Sequence, residues 1–204
     1  KADKGEPGLL ISEISAKWPF DGYTDPAKSE AAILRNVFKK GDAWFNTGDL
    51  MRDIGCKHAQ FVDRLGDTFR WKGENVSTTE VENVLGAFPG VEDAVVYGVE
   101  IPGTNGRCGM AALRLSEGQR LDGNALAAHL DAELPVYAAP LFIRLLGEVE
   151  TTGTFKYKKA DLKQAAYNPA TVREALWVRL PGEPHFTPLD HTLFTAIGQQ
   201  AYRF

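Results

Sequence analysis

Residues 63–80 constrain this chain more than any other stretch. Asp63-Arg64-Leu65-Gly66-Asp67-Thr68-Phe69-Arg70-Trp71-Lys72-Gly73-Glu74-Asn75 holds ten charged, polar or glycine residues out of thirteen, and strand-like patterns flank it. Ser77-Thr78-Thr79-Glu80 follows almost at once. This is a capping box: the serine hydroxyl accepts from a first-turn amide, and the glutamate three residues on reaches back to the cap. The capping box therefore opens a helix directly behind the polar stretch. Val81, Val84 and Leu85 give that helix an apolar face, and Phe88-Pro89-Gly90 stops it.

The same punctuation organises the rest. Residues 8–14 read as a strand behind a Glu-Pro-Gly turn. Residues 26–38 read as a helix, with Pro26 in its first turn, an apolar face of Ala31, Ile33, Leu34, Val37 and Phe38, and Gly41-Asp42 as its end. Ala43–Asn46 and Ala59–Asp63 read as short strands, and Thr68–Trp71 alternates like another. Val91–Val99, Gly109–Leu115 and Leu141–Leu146 are strand-like; Leu121–Leu134 is a helix opened by Asp122 as N-cap; Lys158–Ala166 and Leu189–Tyr202 complete the helices. Strands and helices alternate without a strict βαβ period, which predicts an α+β domain with a mixed sheet and flanking helices from about residue 64. The first ~60 residues are too few and too poor in apolar side chains for a domain of their own.

Composition narrows the function classes. Of 204 residues, 44% are hydrophobic and 25% charged, a globular balance, and the net charge of −4 with no basic stripe argues against nucleic acid as a partner. The two cysteines, Cys56 and Cys108, lack metal-ligand spacing, and the four histidines are scattered, so no metal is assigned to these residues. No run of about 18 apolar residues offers a membrane span. No signal peptide is visible, and the chain opens on Lys1, as the middle of a longer polypeptide would.

Three motifs carry chemistry. In Asn46-Thr47-Gly48-Asp49-Leu50, an aspartate after a glycine at a strand end can accept from two vicinal hydroxyls such as a ribose pair; a tight turn with a satisfied carboxylate is the other reading. In the polar run, Arg64 can fork onto hydroxyls or phosphate oxygens and Gly73 lets a ligand approach the backbone; a polar β-hairpin with solvated charges is the alternative. Glu150-Thr151-Thr152-Gly153-Thr154-Phe155-Lys156-Tyr157-Lys158-Lys159 presents lysine from a Thr/Gly loop just before a helix, which suits neutralising an anion in a transition state; a solvated basic patch there is disfavoured by the helix dipole.

Together and in this order, the motifs resemble those of the adenylate-forming superfamily: acyl-CoA synthetases, peptide adenylation domains and luciferases. FRWKGENVSTTEVE and the TTGTFK loop are similar in particular to the fatty acid transport protein / very-long-chain acyl-CoA synthetase family, with further likeness at GEPGLL, FDGY, VYGVEIPG and LPVYAAPLFIRLL. The resemblance implies that residues 1–63 are the β-rich tail of a large N-terminal domain, and 64–204 the mobile C-terminal domain. It implies an AMP-forming ligase that converts fatty acid, ATP and CoA to acyl-CoA through an acyl adenylate. Asp49 and Arg64 would hold the ribose, Asp67 would be the hinge, Gly73 and Glu74 would line the pantetheine path, and Lys156 would bridge carboxylate and α-phosphate. Lys158 and Lys159 are the competing choices for that lysine. ATP and CoA are the implied ligands, with Mg²⁺ held upstream, where the phosphate-gripping loop and acyl pocket also belong. These residues alone are therefore expected to be inactive. A bile-acid or carnitine-type carboxylate, or a non-catalytic role in fatty acid uptake, are the alternatives. The implied location is cytoplasmic, with membrane association left open.

Overall fold

The computed structural model describes residues 2–147 and 159–204. Two compact units divide the chain, residues 1–66 and 67–204.

The first unit is an antiparallel sheet built on one long strand. Strand β1 (Pro7–Glu13) lies along one edge of β3 (Ala43–Gly55), while β2 (Ile33–Arg35) and β4 (His58–Arg64) share its other edge. The helix expected over 26–38 is shorter: α1 covers Pro26–Ala31, with the Asp25 side chain capping the amides of Ala27 and Lys28. Ile33–Arg35 pairs instead with Ala43–Phe45. β-Branched Ile33 and the adjacent partner strand that begins at Ala43 favour the extended form over a second helical turn.

The connection from β2 to β3 is closed by Asp42, which is 7% exposed. Its Oδ1 accepts from the Val37 amide at 2.7 Å, and its Oδ2 from the amides of Phe38 and Lys39 at 2.9 and 3.0 Å. Burial by itself would push this carboxyl up; the Trp44 indole and the amides of Phe38, Lys39 and Val37 outweigh it and hold it at about 2. A folded-state value below the unfolded 3.8 means that this contribution to stability is complete above about pH 4 and is lost as the pH falls through about 2. Carboxyl-carbon NMR titration of Asp42 is expected to show an inflection near 2. An inflection near 4 would remove the turn from the acid-sensitive elements of this fold.

The second unit holds the hydrophobic core. Strands β5 (Phe69–Trp71) and β6 (Glu74–Val76) form a hairpin, followed by α2 (Thr78–Gly86). A five-stranded sheet follows in the order β11-β10-β9-β8-β7, where β7 is Val91–Val99, β8 Cys108–Leu115, β9 Phe142–Leu146, β10 Leu176–Val178 and β11 Thr187–Pro188. The β8–β9 pair is parallel and the others antiparallel, so the sheet is mixed, as the alternation predicts. The crossover from β8 to β9 runs through α3 (Gly123–Glu133), whose N-cap Asp122 accepts from Asn124 and Ala125. Helices α4 (Lys159–Ala165) and α5 (His191–Gly198) follow. The fourth helix was expected from Lys158, which lies outside the described residues.

Among the described residues, every buried hydrophobic side chain falls between Phe69 and Ile197. Val81 and Leu85 of α2, Val96 of β7, Met110 and Leu113 of β8, Leu126 and Leu130 of α3 and Phe142 of β9 pack together. The first unit buries Asp42 and Asp63 but contributes no buried apolar side chain, while Trp18, Tyr23 and Phe38 are more than half exposed.

Candidate nucleotide site and hinge

Asp49 and Arg64 face each other as register partners on β3 and β4. Arg64 Nε donates to Asp49 Oδ1 at 3.0 Å. Their side chains are 28% and 64% exposed, Asp49 being the more covered. The motif around them shapes the strand locally. Gly48 has φ 76°, and its amide donates to Asn46 Oδ1 at 2.9 Å. Thr47 Oγ1 donates to the Leu10 carbonyl and accepts from the Asp49 amide, while the Leu65 amide donates to the Gly48 carbonyl at 2.7 Å. The glycine supplies a left-handed backbone within a strand. The β3–β4 register slips between Leu50 and Met51, directly after the aspartate.

An exposed ion pair of this kind contributes about 0–1 kcal/mol to stability. That pairing can accept from hydroxyls and donate to oxygen on the same face.

In the second unit, Gly73 and Glu74 lie at the tip of the β5–β6 hairpin. Trp71 pairs with Glu74, leaving Lys72 and Gly73 as a two-residue loop with φ 50° and 89°. Positive φ at both positions is a type I′ turn, whose twist matches the strands it joins. The hairpin is fixed from below. Trp71 is buried, the Arg107 amide donates to the Arg70 carbonyl at 2.7 Å, and Arg70 Nε donates to the Gly73 carbonyl at 3.0 Å. A Cβ at Gly106 would stand 2.3 Å from the Arg70 carbonyl oxygen, so only glycine permits that approach. Lys72 Nζ lies 5.8 Å from the Trp71 ring centroid. Beside the hairpin, Trp71 and Lys72 contribute to an open cleft of about 520 Å³ that Pro140, Leu141, Arg203 and Phe204 also line.

Asp67, expected as the hinge, is the first residue of the second unit. Its carboxylate ion-pairs with Lys159 at 3.6 Å and Lys163 at 3.8 Å. Lys159 Nζ also meets Glu82 Oε1 at 3.0 Å and donates to Thr78 Oγ1 at 3.3 Å. Sequence reasoning did not find this cluster, although the spacing of Lys159 with Lys163 and of Thr78 with Glu82 places each pair on one helix face. Lys156 lies outside the described residues. Lys159, its competitor, is engaged by Glu82 and Asp67. Asp49 and Arg64 belong to the first unit, and Asp67, Gly73 and Glu74 to the second. Among the described residues no group of three His, Cys, Asp or Glu gathers to hold a metal.

Comparison with known proteins places the chain as a whole beside known families. Residues 80–156 match the AMP-binding enzyme C-terminal domain. A medium/long-chain fatty-acid–CoA ligase of Mycobacterium tuberculosis, FadD6, is 52% identical over 90% of this chain, which spans 31% of that protein. Long-chain fatty acid transport protein 2 of Rattus norvegicus is 42% identical over 97% of this chain and 32% of its own length. The chain thus spans about a third of the curated relatives it matches. In structure it resembles ATP-bound MatB from Rhodopseudomonas palustris (TM-score 0.64, 22% identity, 80% of this chain and 31% of that one). It also resembles the AMP complex of O-succinylbenzoate-CoA synthetase from Bacillus subtilis (TM-score 0.61, 24% identity, 79% and 31%). Those likenesses establish the fold. Residues 80–156 thus belong to the AMP-binding enzyme C-terminal domain, and the relatives of the chain as a whole are a fatty-acid–CoA ligase and long-chain fatty acid transport proteins.

Proposed function

We propose that this chain is the C-terminal part of an AMP-forming fatty-acid–CoA ligase. Residues 1–66 are then the tail of its large domain and 67–204 its mobile small domain, a division that keeps Arg64 with Asp49. In the first half-reaction, a fatty acid carboxylate oxygen attacks the α-phosphorus of ATP, and the bond to pyrophosphate breaks. In the second, the CoA sulfur attacks the acyl carbon, the thiol proton passes to solvent, and AMP departs with the electron pair of the cleaved bond. Asp49 and Arg64 hold the ribose through both steps. Lys156 spans the two anions in the first, and Gly73 and Glu74 border the pantetheine in the second. Mg²⁺ takes ligands from the upstream domain. The complete protein is cytoplasmic and touches membranes peripherally, because its acyl substrate partitions there; among the described residues no helix is long and apolar enough to cross one.

The Asp49–Arg64 pair carries the reading: a carboxylate and a guanidinium held side by side at 3.0 Å by strand register, in a pairing that contributes little to stability. Asp49→Ala in the complete polypeptide tests it. Losing charge-assisted hydrogen bonds worth about 1.5–3 kcal/mol predicts a roughly 10- to 150-fold fall in both half-reactions. The thermal transition shifts by about 1 kcal/mol or less. The 204-residue chain by itself serves as the inactive control. Undiminished fatty-acid-dependent pyrophosphate exchange in Asp49→Ala would refute the ribose role. A panel of fatty, bile and carnitine-type acids then assigns the carboxylate.

A further inference from the structure

Asp67 is fastened to the unit it begins. Its two carboxylate oxygens face Lys159 and Lys163, one helical turn apart on α4. The Lys159 ammonium is shared: it reaches Glu82 at 3.0 Å and Thr78 at 3.3 Å, one turn apart on α2. Glu82 Oε1 in turn accepts from the Val96 amide at 2.9 Å, in the interior of β7. A continuous polar path therefore runs from the central sheet through α2 and the α4 ammonium to the Asp67 side chain. Lys159, Asp67 and Glu82 have side chains only 27%, 28% and 23% exposed, so water screens this cluster less than an open surface pair. Directly before it stands Gly66, where an added Cβ would meet nothing within 4 Å. Glycine backbone adopts alternative dihedrals at low cost.

We propose that Lys159 is a positioning residue that locks Asp67 into the rigid frame of the second unit, so that the swivel between half-reactions falls on the residues before Asp67. The same ammonium fixes the first turn of α4, three residues after Lys156. Loosening it therefore disturbs adenylation more than thioester formation. The consequence for catalysis rests on the function proposed above; the clamp itself does not.

Two measurements test it. In the 204-residue chain, ¹⁵N relaxation is expected to give the Asp67 amide an order parameter of about 0.85, falling below about 0.6 in Lys159→Met. Lys159→Arg should keep the higher value. Glu82→Gln, which preserves the acceptor for Val96 and removes the charge, should lower it. The dispersed amide signals of β7 and β8 report that each variant is folded; if Lys159→Met is not, Glu82→Gln gives the answer. An Asp67 already mobile in the unmodified chain, or one unmoved by either variant, overturns the clamp. In the complete polypeptide, Lys159→Met is expected to slow adenylation about ten-fold with an unchanged KM for ATP, while thioester formation from preformed acyl adenylate stays within about two-fold. Equal losses in both overturn the positioning role. Absence of pyrophosphate exchange in the unmodified enzyme would instead refute the proposed function and leave the relaxation result standing.

Discussion

Lys156→Ala in the complete polypeptide is expected to slow formation of the acyl adenylate by about 10²–10³-fold, the usual cost of removing a donor aimed at transition-state charge. Two anions, a carboxylate and an α-phosphate, must approach each other in that step, and a lysine between them neutralises the charge that develops. Thioester formation from preformed acyl adenylate has no such encounter and should persist at near its original rate. Separate assays of pyrophosphate exchange and acyl-adenylate consumption check the split. An unchanged exchange rate would remove Lys156 from the chemistry and turn attention to Lys158. The split also bears on an uptake module without catalysis, for which neither rate would exist to lose.

Dividing the chain between Gly66 and Asp67 is expected to give two pieces with opposite behaviour. Residues 67–204 carry every buried apolar side chain among the described residues and should unfold cooperatively on their own. At about 0.7 kcal/mol per residue, a 138-residue piece (204 minus 66) should absorb roughly 100 kcal/mol at its thermal midpoint. Residues 1–66 have strand hydrogen bonds and a well-made turn at Asp42, but no buried apolar side chain to offset the entropy of ordering the chain. That piece should show no heat-absorption peak and no sigmoidal urea transition. A cooperative transition in residues 1–66 would mean that its sheet is stable without a covering layer.

Legibility in the sequence followed the range of the interactions. Ser77 and Asp122 announce their helices because capping involves residues within three positions. The apolar runs of β7 and β8 are plain because both strands sit in the core. Ile33–Arg35 was misleading: its spacing suits a helix, and only pairing with Ala43–Phe45 makes it a strand. The three-residue β10 and the two-residue β11 leave too little pattern to detect. At the candidate site, Asp49 and Arg64 were recognisable as motif members, but their direct contact depends on the β3–β4 register. The Lys159–Asp67 pair joins residues 92 positions apart (159 minus 67), and no local pattern encodes that distance.

Lys72 holds a left-handed backbone conformation at the hairpin tip. A type I′ turn favours Asn, Asp or Gly at its first central position, yet this hairpin places lysine there at φ 50°. A left-handed non-glycine residue costs on the order of 1 kcal/mol. Lys72→Asn is thus the substitution that a thermostability screen of this chain would reward, and it would strip a cation from the hairpin tip. Ranking variants by melting temperature alone would select against the tip's charge, so engineering here has to score turnover beside heat resistance.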